Sequence, residues 1–566
     1  MSRVLQRPGT GARANTRMRV WDRLKPEIMP VTYDAIIIGA GHNGLVCAAY
    51  LARAGRKVLV LERQGVVGGA AVTDEFAPGY RISTASYLIS LLLPEVERDL
   101  ELARFGYKVL ARNPSSFTPC LDGRSLLLGP DEQFNRREIG KFSARDAEAY
   151  PRYERLLTRI AECLEPSLMG TPPDLLPLPS TWRKQSLFDR LRNLRRGGAL
   201  YRAMKRLGDD LPAAIEILTG AARPVLDRWF ESDVLKATLA TDAIIGTYQP
   251  ISAPGTGYVL LHHVMGTAGG ARGVWGYVEG GMGALTQAMA KSAQAAGAEI
   301  RTSTTVAEII VTDARAGAVR TTDGEVIRAR AVLSNADAHV TFERLLDPNV
   351  LPPSFRDAVA RIDYSSASMK VNLAVSELPD FSCMPGKSLG AQHHGTIHIG
   401  ATLEHLERAY DDAKYGEPSQ HPIVELTIPT SVDRTLAPEG HHVIGLFIQY
   451  APYRLASGSW DEIKEPFADR CIAEIARYAP NVPKSILHRQ ILTPLDLERR
   501  FALTGGNIFQ GAMPLHQLFS FRPVPGFGDY RTPVRGLYLC GAAAHPGGGV
   551  MGAAGKNAAV EALRDL

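Results

Sequence analysis

Gly39-Ala40-Gly41-His42-Asn43-Gly44 places three glycines at G-x-G-x-x-G spacing, a pattern whose chemistry is the binding of a diphosphate. Gly39 permits a tight turn. Gly41 lacks the Cβ that would hold a diphosphate off the main chain, and Gly44 lets a helix pack closely. Glu62 follows at roughly the 20-residue distance at which a carboxylate meets a ribose hydroxyl. An acid there disfavours NADP and leaves NAD and FAD open. A second set lies at the far end, in Cys540-Gly541-Ala542-Ala543-Ala544-His545-Pro546-Gly547-Gly548-Gly549-Val550-Met551-Gly552. Its glycines permit close approach to something large and flat or phosphorylated. His545 is the candidate catalytic acid or base, because imidazole titrates near neutrality. The alternative is a histidine that orders the loop, and His262 and His263 are weaker candidates.

These residues need elements to hold them. Val31 to Ile38 reads as a buried strand, being β-branched and ending at a glycine. Leu45 to Ala54 reads as a helix stopped by Gly55, and Lys57 to Leu61 as a second strand with Glu62 at its end. Gly68-Gly69 offers further main-chain N–H groups. Downstream, Glu279-Gly280-Gly281-Met282-Gly283 opens an alanine-rich helix over 284–296. Strands are expected at 299–302, 306–311, 318–321 and 331–334, with a hairpin signal at Thr322-Asp323-Gly324. After residue 536 a strand, a glycine loop and a small-residue helix follow again. Two separated glycine loops predict one elongated ligand touched by both chain ends. FAD has that form: its adenosine diphosphate would take the first loop, its ribityl chain and flavin the second.

The 566 residues are 45% hydrophobic and 22% charged, enough for more than one core. A net charge of +5 is small for this length and argues against nucleic acid as a partner. No apolar run reaches the ~18–20 residues of a membrane span. The six cysteines form no C-x-x-C pair, which makes a disulfide framework improbable and a reducing compartment the expectation. The adjacent histidine pairs 262–263, 393–394 and 441–442 point different ways along any element, so no metal site is expected. Residues 1–29 carry arginines but no acid before Asp22; this is the bias of a mitochondrial presequence, with a disordered basic leader or an upstream start codon as rivals. From Arg183 to Arg206 there are nine Lys or Arg against Asp189 alone, with Leu187, Leu191 and Leu194 at helical spacing. That fits a peripheral contact with an anionic membrane, or a solvated helix whose leucines face the core. Gly197-Gly198 would end such a helix early. The stretch Ile245 to Met265, around Tyr248 and Tyr258, suits either an apolar substrate or plain core packing.

G-A-G-H-N-G, Glu62-Arg63, Gly68-Gly69, G-G-M-G-A-L, L-S-N-A-D at 333–337 and L-C-G-A-A-A-H-P-G-G-G together resemble the phytoene-desaturase-like flavin amine-oxidase superfamily. S-F-T-P-C at 116–120, 229–243, 257–266 and 545–555 resemble, within it, the pyridine nucleotide-disulphide oxidoreductase domain-containing group. The resemblance covers nearly everything after about residue 30. It implies an α/β fold with α+β elements: a glutathione-reductase-type FAD-binding domain from 30–110, 276–336 and 505–566, and an inserted substrate domain from 111–275 and 337–504. The implied FAD contacts are Gly39, Gly41, His42, Asn43, Gly44 and Glu62, then Arg63, Gly68 and Gly69. Val306 should meet the adenine, and Gly541, Val550 and Met551 the flavin end. It further implies a dehydrogenase or desaturase that passes hydride from an apolar C–H substrate to flavin. A cytochrome c oxidase subunit is the implied protein partner. The implied location is the mitochondrial matrix in a eukaryote, the cytoplasm in a bacterium. No cysteine pair follows the first loop, and none of the later glycine runs is read as a nucleotide loop for NADPH, so oxygen, a quinone or a protein is the expected electron acceptor. The rival function is a flavin-bearing regulatory protein without turnover.

Overall fold

The computed structural model describes residues 33–174, 186–268, 271–400 and 402–566. The arginine-rich residues 1–29 and the start of the basic stripe, 183–185, lie outside the described residues.

The first sheet collects segments from three distant parts of the chain. β1 (Tyr33–Ile38), α1 (His42–Arg53) and β2 (Val58–Leu61) form the first unit. α2 (Met282–Ala295), β3 (Glu299–Arg301), β4 (Val306–Thr312), β5 (Arg315–Thr321) and β6 (Val326–Ser334) come from the middle. β7 (Leu537–Leu539) and α3 (Ala553–Leu563) close the chain. The strand order is β3-β2-β1-β6, all parallel. β6 is long enough to pair twice along its other edge. Its first half pairs antiparallel with β5, and its second half pairs parallel with β7. Ile38 therefore lies opposite Ser334, and Ser334 opposite Leu539. The loops that start at Gly39, Asn335 and Cys540 leave the sheet at one edge. Crevices beyond the carboxyl ends of parallel strands are where such sheets bind ligands.

The second sheet runs 486–492, 369–375, 442–449, 423–427, 396–399, 116–119 and 125–128. It is antiparallel except where 116–119 meets 396–399. Alternation divides its faces. Met369, Val371, Leu426, Leu446 and Ile448 pack under the helix Trp460–Ala476. Lys370, Glu425, Phe447, Thr396 and His398 point the other way, into a cavity. Helices between 144 and 264 cover the remaining side; Thr256–Val264, inside the stretch 245–265, is buried over eight residues from Thr256 to His263.

The helix over the basic stripe runs from Leu187 to Leu207. It does not end at Gly197-Gly198, although each glycine costs about 1 kcal/mol in a helix interior. A Ser186–Asp189 capping box starts it, and Ala203 and Leu207 anchor its far end in the core. Arg196 is also paired with Glu561. Leu187, Leu191 and Leu194 do not face the core: Leu187 is 70% and Leu194 72% exposed. Among the described residues no helix is long and apolar enough to cross a membrane, and no group of three metal-ligating side chains occurs.

Candidate active site

A cavity of about 710 Å³ runs from the glycine loops of the first sheet to the polar face of the second. Gly39, Gly41, His42 and Asn43 line its first end. α1 begins after Gly41 with no side chain capping it, so its first N–H groups and positive dipole end are free for an anion. A Cβ on Gly41 would stand 2.8 Å from Asn335 Nδ2. Gly44 does not line the cavity; a Cβ there would stand 2.2 Å from the Gly39 carbonyl oxygen, so this glycine closes the turn. Asn43 also meets the start of α3, where a Cβ on Gly555 would fall 2.1 Å from the Asn43 carbonyl oxygen.

Glu62 lines the cavity and is 6% exposed. Its Oε2 accepts from the Ala40 N–H at 2.7 Å and its Oε1 from the Gln64 N–H at 2.9 Å. Two amides thus fix the carboxylate at the end of β2. Arg63 reaches across the cavity edge and donates from Nη2 to the Arg500 carbonyl at 2.5 Å. Gly68 and Gly69 line the same end, with the Gly68 N–H donating to the Ala40 carbonyl at 2.9 Å. Val306 lines it too.

At the other loop, Ala542, Gly549 and Val550 line the cavity. Gly541 and Met551 do not. Gly541 packs on Asn335, whose carbonyl oxygen would be 2.6 Å from a Cβ, so it joins the loops after β6 and β7. Met551 is buried and its carbonyl accepts from the Leu93 N–H. His545 is not brought to the cavity either. It is 1% exposed and meets Phe519 edge-on at 5.4 Å. Its nitrogens lie near the carbonyls of Leu168 and Gly170, with no complete hydrogen bond to either. Burial pulls its pKa down to about 3. The ring is neutral at physiological pH and packs on Phe519.

The histidines that line the cavity are His42, His262, His263 and His398. His42 is pulled down to about 4 by burial, and its Nε2 has no partner among the described residues. His262 donates from Nε2 to the Gly548 carbonyl at 3.1 Å, and burial pulls it to about 3. Both are neutral at physiological pH. The thiols of Cys47 and Cys540 touch beneath the loops, buried and outside the cavity lining, a contact that sequence spacing does not reveal.

Sequence reasoning missed the charged floor on the second sheet. Lys370 is 2% exposed, and its Nζ stands 4.2 Å above the Tyr87 ring with no hydrogen-bond acceptor among the described residues. Arg112 donates from Nε to the Trp275 carbonyl at 2.7 Å and from Nη1 to Thr396 Oγ1 at 2.8 Å. Glu425 accepts from the Tyr87 hydroxyl at 3.1 Å and has His398 Nδ1 at 3.7 Å. Asp242 completes the group. Burial lowers Lys370 to about 7 and raises Asp242 to about 7; it raises Glu425 to about 7 as well, with the Asp242 charge adding to the effect. Burial holds His398 neutral, at about 3. One signal was available: Met369-Lys370-Val371-Asn372-Leu373 alternates polar with apolar, as a strand with one face on a core does.

Residues 44–563 match the family described as flavin containing amine oxidoreductase. The rat (Rattus norvegicus) pyridine nucleotide-disulfide oxidoreductase domain-containing protein 2 is 51% identical over 558 residues, covering 96% of this chain and 94% of its own length. A limonene dehydrogenase polypeptide of Castellaniella defragrans is 26% identical, covering 94% of this chain and 95% of its own length. Among solved structures, a triple mutant of putrescine oxidase aligns with a TM-score of 0.57 at 16% identity, covering 94% of this chain and 99% of that one; this likeness shows the shared mixed helix-and-sheet fold. With a matched family that reaches from the first glycine loop to the last helix, the chain belongs to the flavin containing amine oxidoreductases and is an FAD-dependent oxidoreductase.

Proposed function

We propose that the protein is a dehydrogenase or desaturase that passes hydride from a largely apolar C–H substrate to its flavin, on a dinucleotide domain of the glutathione-reductase type. The observation that carries this reading is one continuous cavity. It joins uncapped glycine loops to a compartment walled by Leu157, Leu239, Ile245, Leu260, Trp275 and Phe447. Bound FAD supplies the hydride acceptor. The chain supplies the rest. The start of α1 and Gly41 hold the diphosphate, Glu62 the ribose and Val306 the adenine side. Gly549 and Val550 flank the flavin side, and the apolar walls exclude water. The name limonene dehydrogenase, borne by the Castellaniella relative, supports a hydrocarbon-like substrate. The test is anaerobic mixing of the yellow holoprotein with terpenes and other lipids. Bleaching of the flavin's visible absorption by one class supports the reading. Flavin that dithionite reduces and oxygen reoxidises, but that no lipid, alcohol or amine bleaches, favours the regulatory alternative.

The helix Leu187–Leu207 supports a peripheral membrane contact. Leu187, Leu191, Leu194 and Tyr201 are exposed along one face, flanked by exposed Arg190, Arg195 and Arg202. That combination matches an anionic lipid surface. Sedimentation with phosphatidylserine vesicles at low salt should carry the protein down, and Leu191→Ser with Leu194→Ser should leave it in the supernatant. Equal sedimentation of both proteins would refute the contact. A mitochondrial matrix location and a cytochrome c oxidase subunit as partner complete the proposal on the strength of the resemblance.

A further inference from the structure

Where the second sheet lines the cavity, it carries charge, which a purely hydrocarbon substrate does not need. Lys370 sits in mid-strand on the second sheet and is only 2% exposed. Its three N–H groups find no acceptor among the described residues. Its nearest company is the Tyr87 ring, Glu425 and the Cβ-free backbone of Gly445, where a Cβ would come within 3.3 Å of Nζ. A buried ammonium without a hydrogen-bonded partner costs several kcal/mol, and the Lys370 side chain lines the cavity. Arg112 is the second cation there. The Trp275 carbonyl and the Thr396 hydroxyl fix its Nε and Nη1.

We propose that this part of the cavity binds a carboxylate: the substrate is an amphipathic acid whose apolar chain lies along the hydrophobic walls and whose head is held by Lys370 and Arg112. The inference rests on the cavity being the substrate's and deepens that reading. The acids nearby are accommodated. Glu425 already accepts from Tyr87, and Thr241 also bonds to it. Asp242 lines the same space, and its charge raises Glu425's tendency to keep a proton. A protonated member of the pair donates to a ligand carboxylate. His398 stays neutral beside Glu425. Charge-assisted hydrogen bonds of this kind are short and about twice as strong as neutral ones.

The test is calorimetric titration of the purified holoprotein, its flavin content first measured by absorbance, with octanoate, octanol, octylamine and octane. Octanoate should bind about tenfold or more tighter than the other three, as expected for one charge-assisted contact. Lys370→Met should erase that preference, and Lys370→Arg should keep most of it. Octylamine or octanol binding as tightly as octanoate would overturn the proposal, and so would a preference that survives Lys370→Met. Failure of the two readings is distinguishable. Protein that carries no flavin yet prefers octanoate sinks the cofactor assignment alone. Flavin-loaded protein indifferent to the carboxylate sinks this one alone. A Lys370→Met chain that does not fold leaves the comparison of the four ligands on the native protein to decide.

Discussion

α1 and α2 begin alike, after glycine-rich turns, and end up with opposite surroundings. At α1 no side chain caps the helix start, and Gly39, Gly41, His42 and Asn43 open onto the cavity. At α2 the protein closes the start itself. The Met282 N–H donates to Ser83 Oγ at 2.9 Å and the Gly283 N–H to Thr73 Oγ1 at 2.9 Å. The glycines there make room for the hairpin 73–83: a Cβ on Gly283 would stand 2.7 Å from the Thr73 nitrogen. A glycine-rich helix start therefore carries two meanings. Where the N–H groups lack partners it awaits an anion. Where hydroxyls satisfy them, it is a packing joint.

The largest effect that would break this contrast comes from Gly41→Val against Gly283→Val. A branched side chain at 41 intrudes on Asn335 and on the space before α1. It should leave folded protein that has lost FAD affinity at least tenfold, about 1.4 kcal/mol. At 283 the clash is with backbone, so the variant should melt at lower temperature while its folded fraction keeps a full complement of flavin. Flavin content by absorbance and melting by circular dichroism separate the two. Equal flavin loss in both variants would show that the two helix starts do not differ in role.

Legibility differed along the same division. The first sheet was readable because its signals are local. Gly39 to Glu62 form one continuous strand–helix–strand passage, and alternating or apolar runs marked the strands that became β3 to β6. The paired glycines beyond β2 were readable for the same reason. A glycine loop does not say which way a side chain points; His545 packs on Phe519 and does not line the cavity. The floor of the cavity was not readable. Arg112, Asp242, Lys370 and Glu425 come from four separate segments, and only the pairing of the second sheet's strands brings Lys370 and Glu425 onto one face. The helix 187–207 was visible as a pattern, yet whether its leucines faced core or solvent depended on what lay behind it.

An intermediate effect sharpens the contrast between the cavity's two ends through pH. Asp242 is raised from 3.8 to about 7 by burial. Between these values the folded chain holds a proton that the unfolded chain has released, so wild-type stability falls as pH rises through the window. Asp242→Asn has no such proton. Its unfolding free energy relative to wild type should climb from pH 4 to pH 7, by on the order of 1 kcal/mol per pH unit at most, and level off above. Lys370, lowered from 10.5 to about 7, has the opposite sign: its burial favours the folded state more as pH rises from 7 towards 10.5. Lys370→Met should therefore gain most, relative to wild type, at the acid end of that range. Glu425, Arg112, Tyr87 and His398 face the same group and spread these slopes without reversing them. A difference between Asp242→Asn and wild type that stays flat from pH 4 to 7 would place the carboxylate in contact with bulk water.

The smallest effect tests the closed helix start directly. Thr73→Val keeps the shape of the side chain at 73 and removes the hydroxyl that receives the Gly283 N–H. Losing a hydroxyl cap costs about 1 kcal/mol, because the Gly283 amide is left without its acceptor. The hairpin 73–83 also carries Ser83, which still receives the Met282 N–H, so the helix should lose one of its two caps and stay formed. Urea unfolding should shift by that amount with an unchanged slope, and FAD should dissociate at the wild-type rate. The outcome that matters is the pairing of the two measurements. Faster FAD release together with the stability loss would mean that α2 transmits to the cofactor through Gly68, whose Cβ position lies 2.7 Å from Thr286 Oγ1 on that same helix. The joint would then belong to the binding site it is here set apart from.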